Sequence, residues 1–192
     1  MGHAKPIATD RSVTGMPTGR LAVWWVVASE IVIFGGVLGS YLIHRIGHPE
    51  FGLDAIHTNV WAGGFNTMVL LTSSYCAVLA HNAAEQGDGK KAAKLLWLTV
   101  LGGFMFLCVK SYEWNHEIEL GYTITAGMFW SFYYIAAGIH GLHVIAGMCL
   151  MIWIAGQARR GEELQRVELI GIYWHFVDLV WIFLFPLLYI AK

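Results

Sequence analysis

The chain has 192 residues, of which 57% are hydrophobic and 13% charged, and its formal net charge is −1. Soluble domains carry about 25% charged residues, so this composition excludes an ordinary soluble domain and predicts a membrane protein. The three cysteines lie in apolar stretches without CxxC or CxxCH spacing, which excludes a disulfide framework, a redox dithiol and covalent haem attachment. No phosphate loop, nucleophile elbow or nucleic-acid patch is present, so nucleic acid is not an expected partner.

Five apolar runs follow a polar N-terminal tail, residues 1–20, which lacks a core of its own. Each run approaches or exceeds the roughly 20 helical residues that cross a bilayer. The sequence therefore predicts an all-α polytopic protein, a single five-helix domain over 21–192, with helices near 21–43, 60–80, 92–112, 124–156 and 168–190.

Glu30 stands about ten residues into the first run, which places it near the middle of the bilayer at 1.5 Å per residue. A charged residue at that depth costs about 2.5–3.5 kcal/mol to insert. We therefore expect a buried carboxylate, open to hydrophobic carbodiimides, with either a proton or lipid role or a structural hydrogen bond to another helix. A histidine of "GIHGLHV" or "YWHFVD" is the expected partner.

Small residues recur at a spacing of four in two of the runs. Gly35 and Gly39 lie in the first, and Ala137 and Gly141 in the fourth. Backbones of membrane helices approach closely where such residues face each other. These pairs predict the helix-packing positions of the bundle.

The remaining polar candidates lie in the last three predicted helices or at their ends. "EWNH", residues 113–116, gives Glu113 the ExxH spacing of di-iron bundles, but such a site needs two ExxH pairs and two more glutamates. His140 and His143 share a helix face, as do His175 and Asp178. Three histidines and an acid can bind a metal or haem, but we expect interhelical hydrogen bonds and no metal.

Lysine and arginine are distributed unequally between the two sides of the predicted bundle. Excess positive charge marks the cytoplasmic side, so we predict a cytoplasmic N-terminus and an external C-terminus. Nine basic residues fall on the predicted inner side, namely Lys5, Arg11, Arg20, Lys90, Lys91, Lys94, Arg159, Arg160 and Arg166, against Arg45, Lys110 and Lys192 on the other.

Several separated stretches, in family order, resemble subunit III of the haem-copper respiratory oxidases. Together they cover essentially all of residues 20–190, and the five runs match the shorter bacterial type, which lacks two N-terminal helices of the mitochondrial form. One departure is Lys110, near a position where the family often has glutamine. The matching stretches are "ASEIVIFGG", "FNTMVLLTSSY", "KSYEW", "GIHGLHVIAG" and "YWHFVDLVWIFLFPLLY".

The resemblance implies a non-catalytic accessory subunit in a bacterial inner membrane, within a complex that reduces oxygen and translocates protons. Haem and copper would belong to partner subunits, and subunit I would be the main contact. The chain would stabilise the complex, bind phospholipid and support proton uptake. Glu30 matches the family's buried carboxylate and Glu113 its helix-end glutamate; the motif polar residues, which would contact other helices or lipid headgroups, are His140, His143, His175 and Asp178.

Two alternatives remain at this point. "KSYEW", "SFYYIAAGIHGLHV" and "FPLLY" are also similar to the accessory subunit associated with nitric-oxide reductases. A stand-alone proton-coupled transporter could use Glu30 and the histidines as a relay, but transporters often have internal repeats and broken helices, which this sequence lacks.

Overall fold

The computed structural model describes residues 17–48 and 50–191, and most of them are helical. Residues 1–16 of the predicted tail, with Lys5 and Arg11, lie outside the described residues, as does Lys192. The elements are α1 (Thr18–Gly47), α2 (Glu50–Asp54) with a 3-10 turn (Ala55–His57), α3 (Val60–Glu85), α4 (Gly89–Glu119), α5 (Met128–Arg159) and α6 (Gln165–Phe185), continued by a π-helical turn (Pro186–Ile190).

Within residues 17–48 and 50–191, five helical segments are long and apolar enough to cross a membrane. They are α1, α3, α4, α5, and α6 with its π-helical turn. The protein is therefore all-α, consistent with a five-span bundle. One end of the bundle, here the Thr18 end, carries the start of α1 and the short α3–α4 and α5–α6 connections. The other, the Ala191 end, carries the α1–α3 and α4–α5 connections and the end of the chain.

The observed helices differ from the predicted runs mainly at their ends. α4 continues to Glu119, beyond the predicted 112, because its last two turns carry polar residues that an apolar run does not include. α5 begins at Met128 instead of 124, after a turn in which the Ala126 amide donates to the Thr123 carbonyl. The last turn widens at Pro186, where the Ala191 amide donates to the Pro186 carbonyl at 2.8 Å.

The core lies among α3, α4, α5 and α6, and α1 is attached at its edge. Only Val27, Phe34 and Tyr41 of α1 are buried. The Tyr41 hydroxyl donates to the Leu187 carbonyl at 2.9 Å, which ties the far end of α1 to the π-helical turn. Most of the remaining α1 surface is exposed, so it is available to lipid or to another protein.

The close helix contacts use glycines other than those predicted. Gly35 and Gly39 have no heavy atom within 4 Å of an ideal Cβ, so they do not form a contact between helices of this chain. Ala137 is buried, and a Cβ at Gly141 would meet Leu107 at an ordinary 3.9 Å. The Trp174 indole is packed closely on two sides, since it lies within 3.0 Å of Cβ positions at both Gly103 and Gly147. Spacing alone did not separate the interior glycines from the exposed ones.

Candidate functional site

Glu30 of α1 lies beside His143 of α5. The Glu30 Oε2 atom is 2.9 Å from His143 Nε2, and the two side chains are 16% and 20% exposed. The predicted buried carboxylate is therefore only partly enclosed by this chain. Phe34 packs edge-on against the imidazole at 5.2 Å between ring centroids, and the Tyr173 hydroxyl donates to the His143 carbonyl.

The contacts of the two His143 ring nitrogens determine where protons lie in the Glu30–His143 pair. Its Nδ1 lies 2.8 Å from the Ile139 carbonyl oxygen, which can only accept, so Nδ1 carries a proton. Nε2 and Glu30 Oε2 then face each other as two acceptors 2.9 Å apart unless one more proton lies on either the carboxyl or the ring. This arrangement is able to hold one proton between Glu30 and His143.

His140 has different surroundings, although it is only three residues from His143. It is fully buried, stacks on the Trp181 indole with ring centroids 5.3 Å apart, and meets Phe106 edge-on. Neither ring nitrogen has a hydrogen-bond partner among residues 17–48 and 50–191. His140 is thus a packing residue in this chain.

His175 and Asp178 also diverge, despite their shared helical face. His175 is exposed, and its Nδ1 lies 2.5 Å from the Ser74 hydroxyl of α3. Asp178 is 4% exposed, and neither of its carboxylate oxygens has a hydrogen-bond partner in the described part of the chain. Buried polar groups without partners are uncommon, and Asp178 shares this condition with His140.

Glu113 belongs to a buried cluster near the Ala191 end, here called the Lys110 cluster. The Lys110 ammonium donates to Glu113 at 3.2 Å, to the Tyr133 hydroxyl at 2.9 Å and to the Tyr189 hydroxyl at 2.6 Å. The Tyr133 hydroxyl also contacts Glu113 and Glu117, at 3.0 and 3.1 Å. All five residues are at most 5% exposed.

Sequence reasoning missed four members of this cluster. The sequence indicates Lys110 only as a departure from the family and, if it leaves the membrane, as a basic residue of the predicted outer side, whereas the structure buries it. Its partners Tyr133 and Tyr189 are 23 and 79 residues away along the chain. One local signal was available, because Lys110, Glu113 and Glu117 are spaced so that they lie on one face of a helix.

No metal site emerges from these clusters. Within the described ranges, no three His, Cys, Asp or Glu side chains form a group that could hold a metal ion. In the "EWNH" motif Glu113 is buried, whereas His116 is exposed. The structure brings together Glu30 with His143, and Glu113 with the Lys110 cluster, but it does not gather His140, His143, His175 and Asp178 into one site.

Comparison with known proteins gives a consistent result. The family model for cytochrome c oxidase subunit III matches residues 14–192. The chain is 33% identical over 167 residues to cytochrome c oxidase subunit 3 of Thermostichus vulcanus, covering 84% of this chain and 82% of that protein. It is 32% identical to cytochrome c oxidase subunit 3 of Corynebacterium diphtheriae, with 86% and 84% covered.

A quinol oxidase relative matches over a still larger share of both chains. The identity to the probable quinol oxidase subunit 3 of Staphylococcus saprophyticus is 30% over 199 residues, with 98% of this chain and 96% of that protein covered. The residues matched by the family model span all five long helices. The chain is a multi-pass membrane protein that belongs to the cytochrome c oxidase subunit III family.

Proposed function

We propose that this chain, subunit III of a haem-copper cytochrome c or quinol oxidase, is a non-catalytic subunit that stabilises the catalytic subunit, binds phospholipid and supports proton uptake. The observation that carries the proposal is the Glu30–His143 pair, a proton-holding site inside the span of a chain of this family. The redox reaction would take place on haem and copper in partner subunits.

The stabilising role is supported by the surface of α1. Trp25, Val32, Ile43 and Ile46 are 71–87% exposed on this helix. Such a helix buries little of its surface against its own bundle, so a partner subunit or ordered lipid would supply the missing packing contacts. We expect oxidase subunit I to be the main partner.

Phospholipid binding is supported by an apolar groove of about 290 Å³ between α1, α5 and α6. Val26, Leu150, Ile154 and Tyr173 lie on its walls. A groove of this character at the membrane face accepts a hydrocarbon chain without burying a polar group.

The proposed orientation places the Thr18 end in the cytoplasm, because positive charge concentrates on that side of membrane proteins. The Thr18 end carries Arg20, Lys90, Lys91, Lys94, Arg159, Arg160 and Arg166, whereas the described basic residues of the other half are Arg45 and the buried Lys110. A reporter that works only outside the cytoplasm, fused to the C-terminus, should be active. A silent reporter at that site, with an active cytoplasmic one, would reverse the orientation.

The accessory role is tested by separating the chain from the complex. The isolated chain should show no haem absorbance and should reduce no oxygen, whereas the complex without it should retain its haem spectrum.

Glu30→Gln keeps the size of the side chain but cannot bind or release the proton, so proton uptake by the complete complex should slow while assembly is retained. Haem in the isolated chain, or unchanged proton uptake in Glu30→Gln, would contradict the proposal.

A further inference from the structure

A groove of about 850 Å³ at the Thr18 end is lined mainly by positive charge. Lys90, Lys91 and Lys94 of α4 and Arg159 of α5 lie on its walls, with Asp88 as the acidic residue. We call it the basic groove. All four cationic side chains belong to exposed residues, so a ligand can reach them from outside the chain.

The cations of the basic groove differ from their neighbours in how they are paired. Three other basic residues at the Thr18 end form salt bridges, which are Arg20–Glu168, Arg160–Glu162 and Arg166–Glu163. By contrast, no carboxylate in residues 17–48 and 50–191 lies within 4.0 Å of the four groove cations. The Asp88 carboxylate instead accepts the Lys91 backbone amide at 2.9 Å and caps α4. The groove therefore keeps an excess of positive charge.

A separate apolar groove of about 390 Å³ lies further along α4, on the side that faces α3. Lys94, Leu98, Leu101 and Met105 follow one another at spacings of four, three and four residues, so they form one stripe on the helix. The last three of these residues line the apolar groove with α3 side chains such as Cys76. The stripe from Lys94 to Met105 is about 16 Å long at the helical rise.

Trp97 lies on α4 between Lys94 of the basic groove and Leu98 of the apolar groove. Its indole lines the basic groove and is 53% exposed. Tryptophan prefers the level of the lipid headgroups, which places the groove cations at the height of lipid phosphates. Cations at the headgroup level with an apolar channel beneath them match the two halves of a phospholipid.

We propose that the basic groove binds the phosphate of an anionic phospholipid, with one acyl chain in the apolar groove between α3 and α4. A net negative lipid is favoured over a zwitterionic one because a choline or ethanolamine group would bring a further positive charge to four unpaired cations. The apolar groove favours a lipid over free phosphate. This inference rests on the lipid-binding part of the proposed function and names the lipid class and the site.

The test uses the intact oxidase complex in detergent, incubated with equal amounts of phosphatidylglycerol and phosphatidylcholine that carry the same acyl chains. Native mass spectrometry counts the bound lipids and reports whether this chain is still present. The variant Lys94→Gln with Arg159→Gln removes two groove charges. The matched control, Arg160→Gln with Arg166→Gln, removes two charges at the same end that are already ion-paired.

Wild type and control should retain phosphatidylglycerol in preference to phosphatidylcholine, and the groove variant should bind about tenfold less phosphatidylglycerol, given what each surface cation contributes to binding anionic lipid. Equal retention of both lipids by wild type would overturn the inference, as would an equal loss in the control. Full displacement by millimolar inorganic phosphate would show a soluble anion to be the ligand instead. A groove variant that loses the chain from the complex, when the control keeps it, would also overturn the inference, since the charges would then serve assembly. Wild-type retention of phosphatidylglycerol by the groove variant, with assembly and proton uptake intact, refutes this site and leaves the proposed function standing.

Discussion

The Lys110 cluster and the Glu30–His143 pair both place ionisable groups inside the span, but they are enclosed to different degrees. In the Lys110 cluster, α4, α5 and the π-helical turn surround the charges, and Lys110 makes three hydrogen bonds within the chain. The Glu30–His143 pair is 16–20% exposed at the edge where α1 joins the bundle. A closed cluster holds helices together, whereas an open pair can exchange a proton or contact a partner.

The largest effect is expected from Lys110→Met, which leaves Glu113 and Glu117 buried without their cation. Breaking a buried ion pair from one side costs about 3–5 kcal/mol. The free energy of unfolding in detergent should fall by about that amount, and the yield of assembled complex should drop.

The triple variant Lys110→Met, Glu113→Gln, Glu117→Gln serves as the control, because it removes the uncompensated charges. It should recover most of the stability. If Lys110→Met alone is as stable as wild type, the cluster does not hold the helices together.

The next effect concerns close packing in the enclosed half of the bundle. A methyl group at Gly103 would lie 2.8 Å from the Trp174 ring and 2.9 Å from the Met148 sulfur, whereas Gly35 has nothing within 4 Å. Gly103→Ala should therefore destabilise the chain by about 1–3 kcal/mol through overpacking, and Gly35→Ala should leave the isolated chain unchanged. Thermal denaturation of both variants in detergent measures the difference. Equal destabilisation by the two substitutions would remove the distinction between the enclosed half and α1.

A smaller change is expected from Glu30→Ala, because the pair is only partly buried. Loss of the polar contact with His143 should cost about 1 kcal/mol and weaken association of this chain with the complex. Titration of subunit release with detergent measures that association. Wild-type association in Glu30→Ala would contradict the structural part of this interpretation.

The accessibility of Glu30 can be measured separately with a hydrophobic carbodiimide. We expect it to modify Glu30 in preference to exposed acids such as Glu85, Asp88 and Glu162, because the reagent partitions into the membrane, where Glu30 lies. Glu30→Gln should assemble normally but lose the label. Peptide mapping that finds the label mainly on the loop acids would show that Glu30 does not face the lipid.

The smallest effect is expected from Arg20→Gln, which removes the ion pair between the start of α1 and Glu168 of α6. The Arg20 side chain is 49% exposed, and pairs of this kind contribute about 0.5 kcal/mol. The melting temperature should change little, and less at high salt than at low salt. A loss as large as that of Gly103→Ala would mean that this ion pair is an essential attachment of α1.

Several features follow from the sequence by itself because they are local. The lengths of the apolar runs determine the number of spans, and the five runs coincide with the five long helices apart from their ends. The motifs around Glu30, His140 and His175 indicate the family, which the comparison over residues 14–192 confirms. The depth of Glu30 follows from counting residues along one helix.

Only the tertiary structure decided which of these residues meet. Residues three apart on a helix, such as His140 and His143, diverge because each meets a different neighbouring helix, one against Trp181 and the other against Glu30. Lys110 and Tyr189 come together across 79 residues because the π-helical turn after Pro186 directs the tyrosine inward. Helix formation depends on local hydrogen bonds and apolar length, whereas the burial of a charge depends on partners that distant segments supply, and sequence spacing does not identify those partners.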